Sequence, residues 1–337
     1  MRQIWITRVG GPEGLQVREA PDPQPKSGEV RVRVRAAGVN FADTMARVGV
    51  YSDAPKIPCV VGYEVAGTVD AVGAGVPASR IGEKVLALTP FGGYSDLLCV
   101  PAAQAMPFPG RLSFSEAASI PIVWLTAWHM LVSLGNLQKG QRVLVHAAAG
   151  GVGTAAIQIA RRLGAVTIGT ASPGKHARLR ELGLDHAIDY RSQDFEAEVR
   201  RITEGKGVDI ALDSVGGRSF RKSYRSLAPI GKLMMFGASS ATRETRNLGA
   251  ALGMVAGMPI FFALPMMQAN KAVFGVNMGH LWDHVDLLTG YLREILRGFE
   301  AGDFRPVLDV EVPFAEAPRA HRRLAARENF GKVVLVP

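Results

Sequence analysis

From Gln141 onward the chain alternates between short apolar strands and amphipathic helices. The segments run "RVLVHA", "GTAAIQIARRLG", "VTIGTA", "GKHARLRELG", "HAIDY", "DFEAEVRRIT", "VDIALDSV", "SFRKSYRSLAP" and "KLMMFG". Strands joined through helices pair in parallel, and each crossing helix buries its apolar stripe on a face of the sheet. The alternation therefore predicts an α/β fold with a doubly wound parallel sheet. The first unit contains Ala148-Ala149-Gly150-Gly151-Val152-Gly153, which has the spacing G-x-G-x-x-G with alanine in the first position. Such a loop, between a strand and a helix, lets backbone approach a pyrophosphate and aims the free N–H groups of the helix start at it. The strand before it, the helix after it and the further units beyond supply the context that a lone glycine motif lacks.

The N-terminal part follows another period. "EVRVRVRAAGVN" alternates apolar with charged residues as a half-exposed strand does, and "YEVAGTVDAVGAGV" and "GEKVLALT" continue it. In "SFSEAASIPIVWLTAWHMLVSLG" the period becomes helical, with Ser113 or Ser115 as cap and Ala117, Ile120, Trp124, Trp128 and Leu131 on one face. A chain of 337 residues exceeds what one core usually organises. The expected division is a β-rich domain over 1–122, a nucleotide-binding domain over 123–282, and a return to the first domain over 283–337. The return is expected because the closing strand "GKVVLVP" needs partners and the middle sheet is already complete.

Composition removes several function classes. The balance of 39 basic against 30 acidic residues gives a net charge of +9, but the excess is thinly spread and not interleaved with aromatics, which argues against nucleic acid. Two cysteines, Cys59 and Cys99, with no CxxC pair, support neither a disulfide framework nor a cysteine-rich structural zinc site. The start, "MRQIWITRVGGPEG", lacks the apolar core of a signal peptide, so the expected location is cytoplasmic. Residues 248–267, "LGAALGMVAGMPIFFALPMM", carry no charge and match a membrane span in length. Gly249, Gly253, Gly257, Pro259 and Pro265 interrupt the run, which favours a broken, buried or cleft-lining flap over a span. Peripheral contact with a membrane or a greasy ligand stays open as an alternative.

The end of the second strand selects the cofactor. An NAD site usually places Asp or Glu about twenty residues after the loop, to bind the ribose 2′-hydroxyl. "VTIGTASPGKH" has no carboxylate there and offers Thr170, Ser172 and Lys175, a set suited to a 2′-phosphate. NADPH is the expected cofactor.

"AAGVNFADTMARVGVY", "VGYEVAGTVDAVGAGV", "LTAW", "AAAGGVG" and "NFGKVVLVP", in this order, resemble the medium-chain dehydrogenase/reductase superfamily, in its zinc-free quinone oxidoreductase-like branch. "GTASPGKH", "VDIALDSVGG", "RNLGAALG" and "QANKAVFGVNMGHL" are similar to its VAT-1-like subgroup. The resemblance implies a GroES-like catalytic domain beside a Rossmann domain. Zinc-dependent members carry Cys at the position of Asn40 and Gly-His-Glu where this chain has Gly62-Tyr63-Glu64, so no metal is expected. Without a Lewis acid, alcohol oxidation loses its route to an alkoxide. Reduction of a quinone or an α,β-unsaturated carbonyl needs only hydride, an apolar slot and hydrogen-bond donors for the developing oxyanion.

By resemblance, Asn40 and Tyr51 are the expected donors, with Tyr51 as proton donor or as a loop tyrosine, and Tyr63 as participant or plug. Cofactor contacts implied in the same way are Thr126, Gly150, Gly151, Val152, Gly153, Ser172, Lys175, Tyr190, Phe274, Val276 and Asn329. The substrate is expected to be a small apolar carbonyl or quinone. Pairing of the late strand "AVFGVNM" with its copy implies a homodimer. Two other readings remain beside this one: an NADPH-binding protein of lipid or membrane association with little catalysis, and a trans-acting enoyl-thioester reductase.

Overall fold

The computed structural model describes residues 1–239 and 257–337. They form two units, one of Met1–Leu125 with Met278–Pro337 and one of Thr126–Asn277.

The first unit is built on a seven-stranded sheet whose centre is the long strand Glu29–Val39. Its alternation holds: Val30, Val32 and Val34 enter the core with Ile4, Ile6, Val65, Val85 and Val333. Glu29–Val39 pairs antiparallel with Glu64–Val72 on one side and with the closing strand Lys332–Val336 on the other. The C-terminal segment thus supplies a strand to the first unit. Register places chemistry at one end of the sheet. Val333 lies opposite Val39 and Val65 opposite Ala37, so Lys332, Asn40 and Glu64 gather where three strands begin or end.

The single helical stretch expected after Ser113 is instead three pieces: Phe114–Ala118, Pro121–Trp128 and a wider π-helical turn, His129–Leu134. Ser113 does cap the first, accepting from Glu116 N at 3.2 Å while Glu116 Oε2 accepts from Ser113 N at 2.8 Å. Pro121 has no N–H to continue that helix and starts the next.

In the second unit six parallel strands lie in the order His186–Asp189, Val166–Ala171, Arg142–Val145, Val208–Asp213, Leu227–Met235, Ala272–Gly275. The first strand in sequence sits in the middle, with its successors added to one side and then to the other. Strand order therefore reverses at Arg142–Val145, and open α/β sheets bind ligands at the carboxyl end of that position. The glycine loop occupies that end.

Of the apolar run 248–267, residues 248–256 lie outside the described residues. The remainder is only partly buried. Met258 and Phe261 pack on the unit's core, but Ile260, Phe262, Leu264 and Met267 are 65–78% exposed. A short helix, Ala263–Ala269, has no buried residue. Among the described residues no helix is long and apolar enough to cross a membrane.

Candidate active site

In the second unit the loop following Arg142–Val145 turns through Ala147, whose φ of +50° is in the left-handed region, and Gly150 N closes the turn on Ala147 O at 2.8 Å. Gly150 is the N-cap of the helix Gly151–Arg162 and no side chain caps it. The N–H groups of Gly151, Val152 and Gly153 thus head the helix without an intrahelical acceptor. Gly153 is required by space: a Cβ there would stand 2.5 Å from Ala148 O and 2.6 Å from Ala147 O. Helix and loop approach too closely for any side chain.

Ser172 caps and Lys175 ends the short turn Pro173–Lys175 after the second strand, both partly exposed. Thr170 does not join them. It is 3% exposed, and its hydroxyl is spent on His146 Nδ1 at 3.1 Å. His146 Nε2 lies 3.0 Å from Ser223 Oγ, and Ser223 and Ser219 each donate to Asp213 Oδ2 at 2.7 Å. Asp213 Oδ1 accepts from Val215 N at 2.8 Å and Gly216 N at 3.3 Å. Burial lowers the His146 pKa against the pull of Asp213, which keeps the ring neutral. Since Ser223 spends its proton on Asp213, His146 carries its own on Nε2 and accepts at Nδ1. Tyr190 follows the strand His186–Asp189 and is 42% exposed. Phe274 lies in the edge strand Ala272–Gly275, and Val276 just after it donates its N–H to Met235 O. Thr126, in Pro121–Trp128, is buried.

In the first unit Asn40 caps the helix Phe41–Arg47 and is 8% exposed. Its side chain is held from two sides. Lys332 Nζ donates to Asn40 Oδ1 at 2.6 Å, and Asn40 Nδ2 donates to Glu64 Oε1 at 2.9 Å. Lys332 and Glu64 form an ion pair at 2.5 Å with side chains 3% and 0% exposed. Ile122 N donates to the other Glu64 oxygen at 2.6 Å. Gly38 leaves room for this carboxylate, since a Cβ there would stand 2.4 Å from Glu64 Oε1.

Asp43, fully buried, accepts from Asn40 N at 2.7 Å and Tyr94 Oη at 2.9 Å, both at Oδ2. Tyr94 Oη lies 3.1 Å from His321 Nε2, and Arg47 Nε donates to His321 Nδ1 at 3.3 Å. Arg47 also donates to Gly10 O. Burial pushes Asp43 up to about 7, opposed by the donors Asn40 N and Tyr94 and by Lys332. Burial and the Arg47 charge push His321 down to about 3. Asp43 Oδ1 and Tyr63 Oη are buried without a hydrogen-bond partner among the described residues. Burial raises the pKa of Tyr51 and drives that of Tyr63 far higher, and each phenol feels the other and Asp43. Both phenols therefore stay protonated. Tyr63 stacks on Trp282 at 6.2 Å and 5°, and Phe91 lies tilted against it at 5.2 Å and 49°. Asn329 donates to Gly331 O at 2.8 Å.

The structure thus joins Asn40 to Glu64 and Lys332, and sets Tyr51 beside Tyr63. Lys332, Tyr94 and His321 escape a reading of the sequence alone, and Glu64 enters it only as the end of Gly62-Tyr63-Glu64. The available signal was a charge opening each of two apolar strands, "EVAGTV" and "KVVLV". A charge buried in this way requires a partner. Among the described residues no three His, Cys, Asp or Glu side chains are grouped so as to hold a metal ion.

Two family models match: an alcohol dehydrogenase GroES-like domain over residues 26–110 and a zinc-binding dehydrogenase over 182–335. The chain belongs to the medium-chain dehydrogenase/reductase superfamily. Within it, the chain is 40% identical over its whole length, and 86% of the relative's, to the human synaptic vesicle membrane protein VAT-1 homolog. It is 36% identical to a quinone oxidoreductase of Pseudomonas aeruginosa, covering 100% of this chain and 99% of that one. The crystal structure of Escherichia coli quinone oxidoreductase complexed with NADPH superposes with a TM-score of 0.87 at 31% identity, covering 100% of both chains.

Proposed function

We propose that the chain is an NADPH-dependent reductase of quinones or α,β-unsaturated carbonyls that works without zinc. The observation that carries this reading is the Asn40–Glu64–Lys332 cluster. Where zinc-dependent relatives carry Cys, this chain has Asn40, whose carboxamide is held between a lysine ammonium and the Glu64 carboxylate, and Tyr63 stands where they carry His. The uncapped helix start at Gly151–Gly153 and the donors Ser172 and Lys175 fit a dinucleotide with a 2′-phosphate. NADPH, when bound, supplies the hydride. The residues of the chain do the rest. Gly151, Val152 and Gly153 hold the pyrophosphate through backbone N–H groups, and Ser172 and Lys175 take the 2′-phosphate. Thr126, Tyr190, Phe274, Val276 and Asn329 complete the cofactor contacts by resemblance. Asn40 donates to the substrate oxygen. Tyr51, kept protonated by partial burial, supplies the proton that completes the reduction, with Tyr63 as its neighbour.

Two finer points belong to the same reading. The strand Ala272–Gly275 is an edge of its sheet, and we infer that it pairs with a second copy to form a homodimer. A second function, lipid or membrane contact, is favoured by the exposure of Ile260, Phe262, Leu264 and Met267, and flotation with anionic liposomes tests it. The reductase itself is tested by NADPH consumption over a panel of quinones and enones, with NADH as competitor. Tyr51→Phe is expected to lower enone turnover roughly 100-fold or more. Unchanged turnover would remove Tyr51 from the mechanism.

A further inference from the structure

Lys332 and Glu64 are buried charges for which hydride transfer to a carbonyl has no direct use. An ammonium has only donors and a carboxylate only acceptors, so their contacts with Asn40 determine which end of the amide is which. Oδ1 faces Lys332 at 2.6 Å and Nδ2 faces Glu64 at 2.9 Å. A flipped amide would set N–H against ammonium and oxygen against carboxylate, losing two charge-assisted hydrogen bonds and replacing them with repulsion.

We propose that the Lys332–Glu64 pair is an orientation clamp on Asn40, which fixes the carboxamide so that its second N–H, and never its carbonyl oxygen, is left for the substrate. The clamp deepens the reductase reading and rests on it for its consequence. Asn40 then favours oxygens that accept, such as a ketone, quinone or enolate oxygen, and turns away amines and amides that present N–H. Lys332 also draws electron density through Oδ1, which strengthens the remaining N–H as a donor where charge develops. Lys332 is thus a positioning residue that acts through Asn40, 292 residues earlier in the sequence. The framework holds it there: the closing strand's register sets Lys332 beside Asn40, the absent Cβ of Gly38 admits the Glu64 carboxylate, and Ile122 N fixes its second oxygen.

The test compares the wild-type protein with Lys332→Met/Glu64→Leu, which removes both charges together and leaves no buried ion unpaired. The Asn40 carboxamide is read by its 15N–1H correlations, assigned with Asn40→Asp, and activity is read with NADPH and an enone. In the wild type the two Nδ2 protons are expected at distinct positions, with the one on Glu64 protected from exchange. In the double variant that protection is lost and kcat falls roughly 100- to 1,000-fold, the size of losing one oxyanion donor, while the Kd for NADPH stays as in the wild type. A double variant that keeps both the protected proton and wild-type kcat overturns the clamp. So does a wild-type Asn40 amide that exchanges as freely as an exposed one, whether or not the variant folds. If the wild type reduces no enone or quinone but its Asn40 proton is protected, the reductase reading fails and the clamp stands.

Discussion

Each unit holds a hydrogen-bond chain that runs through one buried neutral histidine to one buried aspartate. In the second unit the order is Thr170 to His146 to Ser223 to Asp213, and in the first it is Arg47 to His321 to Tyr94 to Asp43. In both chains the donors point one way, toward the carboxylate. They differ at that end. Asp213 receives Ser219, Ser223, Val215 N and Gly216 N over its two oxygens. Asp43 receives Asn40 N and Tyr94 on Oδ2 and nothing on Oδ1 among the described residues. A saturated carboxylate is a fixed brace for the His146 chain. A half-saturated one, shut away from water, has room for a proton, and burial carries its pKa up to about 7. The same construction ends on a filled carboxylate in one unit and on one with an open oxygen in the other.

The largest effect that separates them is structural. Asp213→Ala strands four donors in the interior and is expected to cost about 4 kcal/mol or more, whereas Asp43→Ala strands two and costs about 2 kcal/mol. Urea denaturation of both variants reads this directly, and equal losses would erase the distinction.

The next effect is a dependence on pH. The folded Asp43 pKa of about 7 stands above the usual aspartate value of about 4. Between those values the folded protein keeps a proton that the unfolded chain releases. Its contribution to stability is full below about pH 4 and is lost as pH rises through about 7. Asp43→Asn keeps an oxygen for Asn40 N and Tyr94 and cannot ionise. Its Tm relative to wild type should therefore climb from pH 4.5 to 7.5, and parallel Tm curves would contradict the open oxygen.

The smallest effect concerns Thr170. Removing its hydroxyl as Thr170→Val leaves His146 Nδ1 without its donor, for about 1 kcal/mol, and leaves NADPH affinity unchanged. Ser172→Ala, by contrast, is expected to weaken NADPH but not NADH. If Thr170→Val weakens NADPH instead, the hydroxyl serves the cofactor and not the brace.

What the sequence discloses follows from the range of each contact. The parallel sheet and the glycine loop are written in local periods and in one six-residue stretch, so they are legible. Thr170 was misread because alternation in "VTIGTA" does not say which side of a fully covered strand meets a ligand, and here it meets a histidine. The Asn40–Glu64–Lys332 cluster spans sequence separations of 24 and 292 residues, and no local pattern carries such a register. The break of the helix after Ser113 was legible at Pro121, but apolar spacing that runs on across the break hid it.

In the proposed reaction, hydride passes from NADPH to a conjugated carbonyl with a proton supplied by the protein. Deuterium at the nicotinamide C4 tests it most directly, by mass spectrometry of the product from a cyclic enone. The prediction is one deuterium at the β-carbon from labelled NADPH and one at the α-carbon from unlabelled NADPH in D2O. Unchanged enone beside unconsumed NADPH, over a panel of enones and quinones, would contradict it.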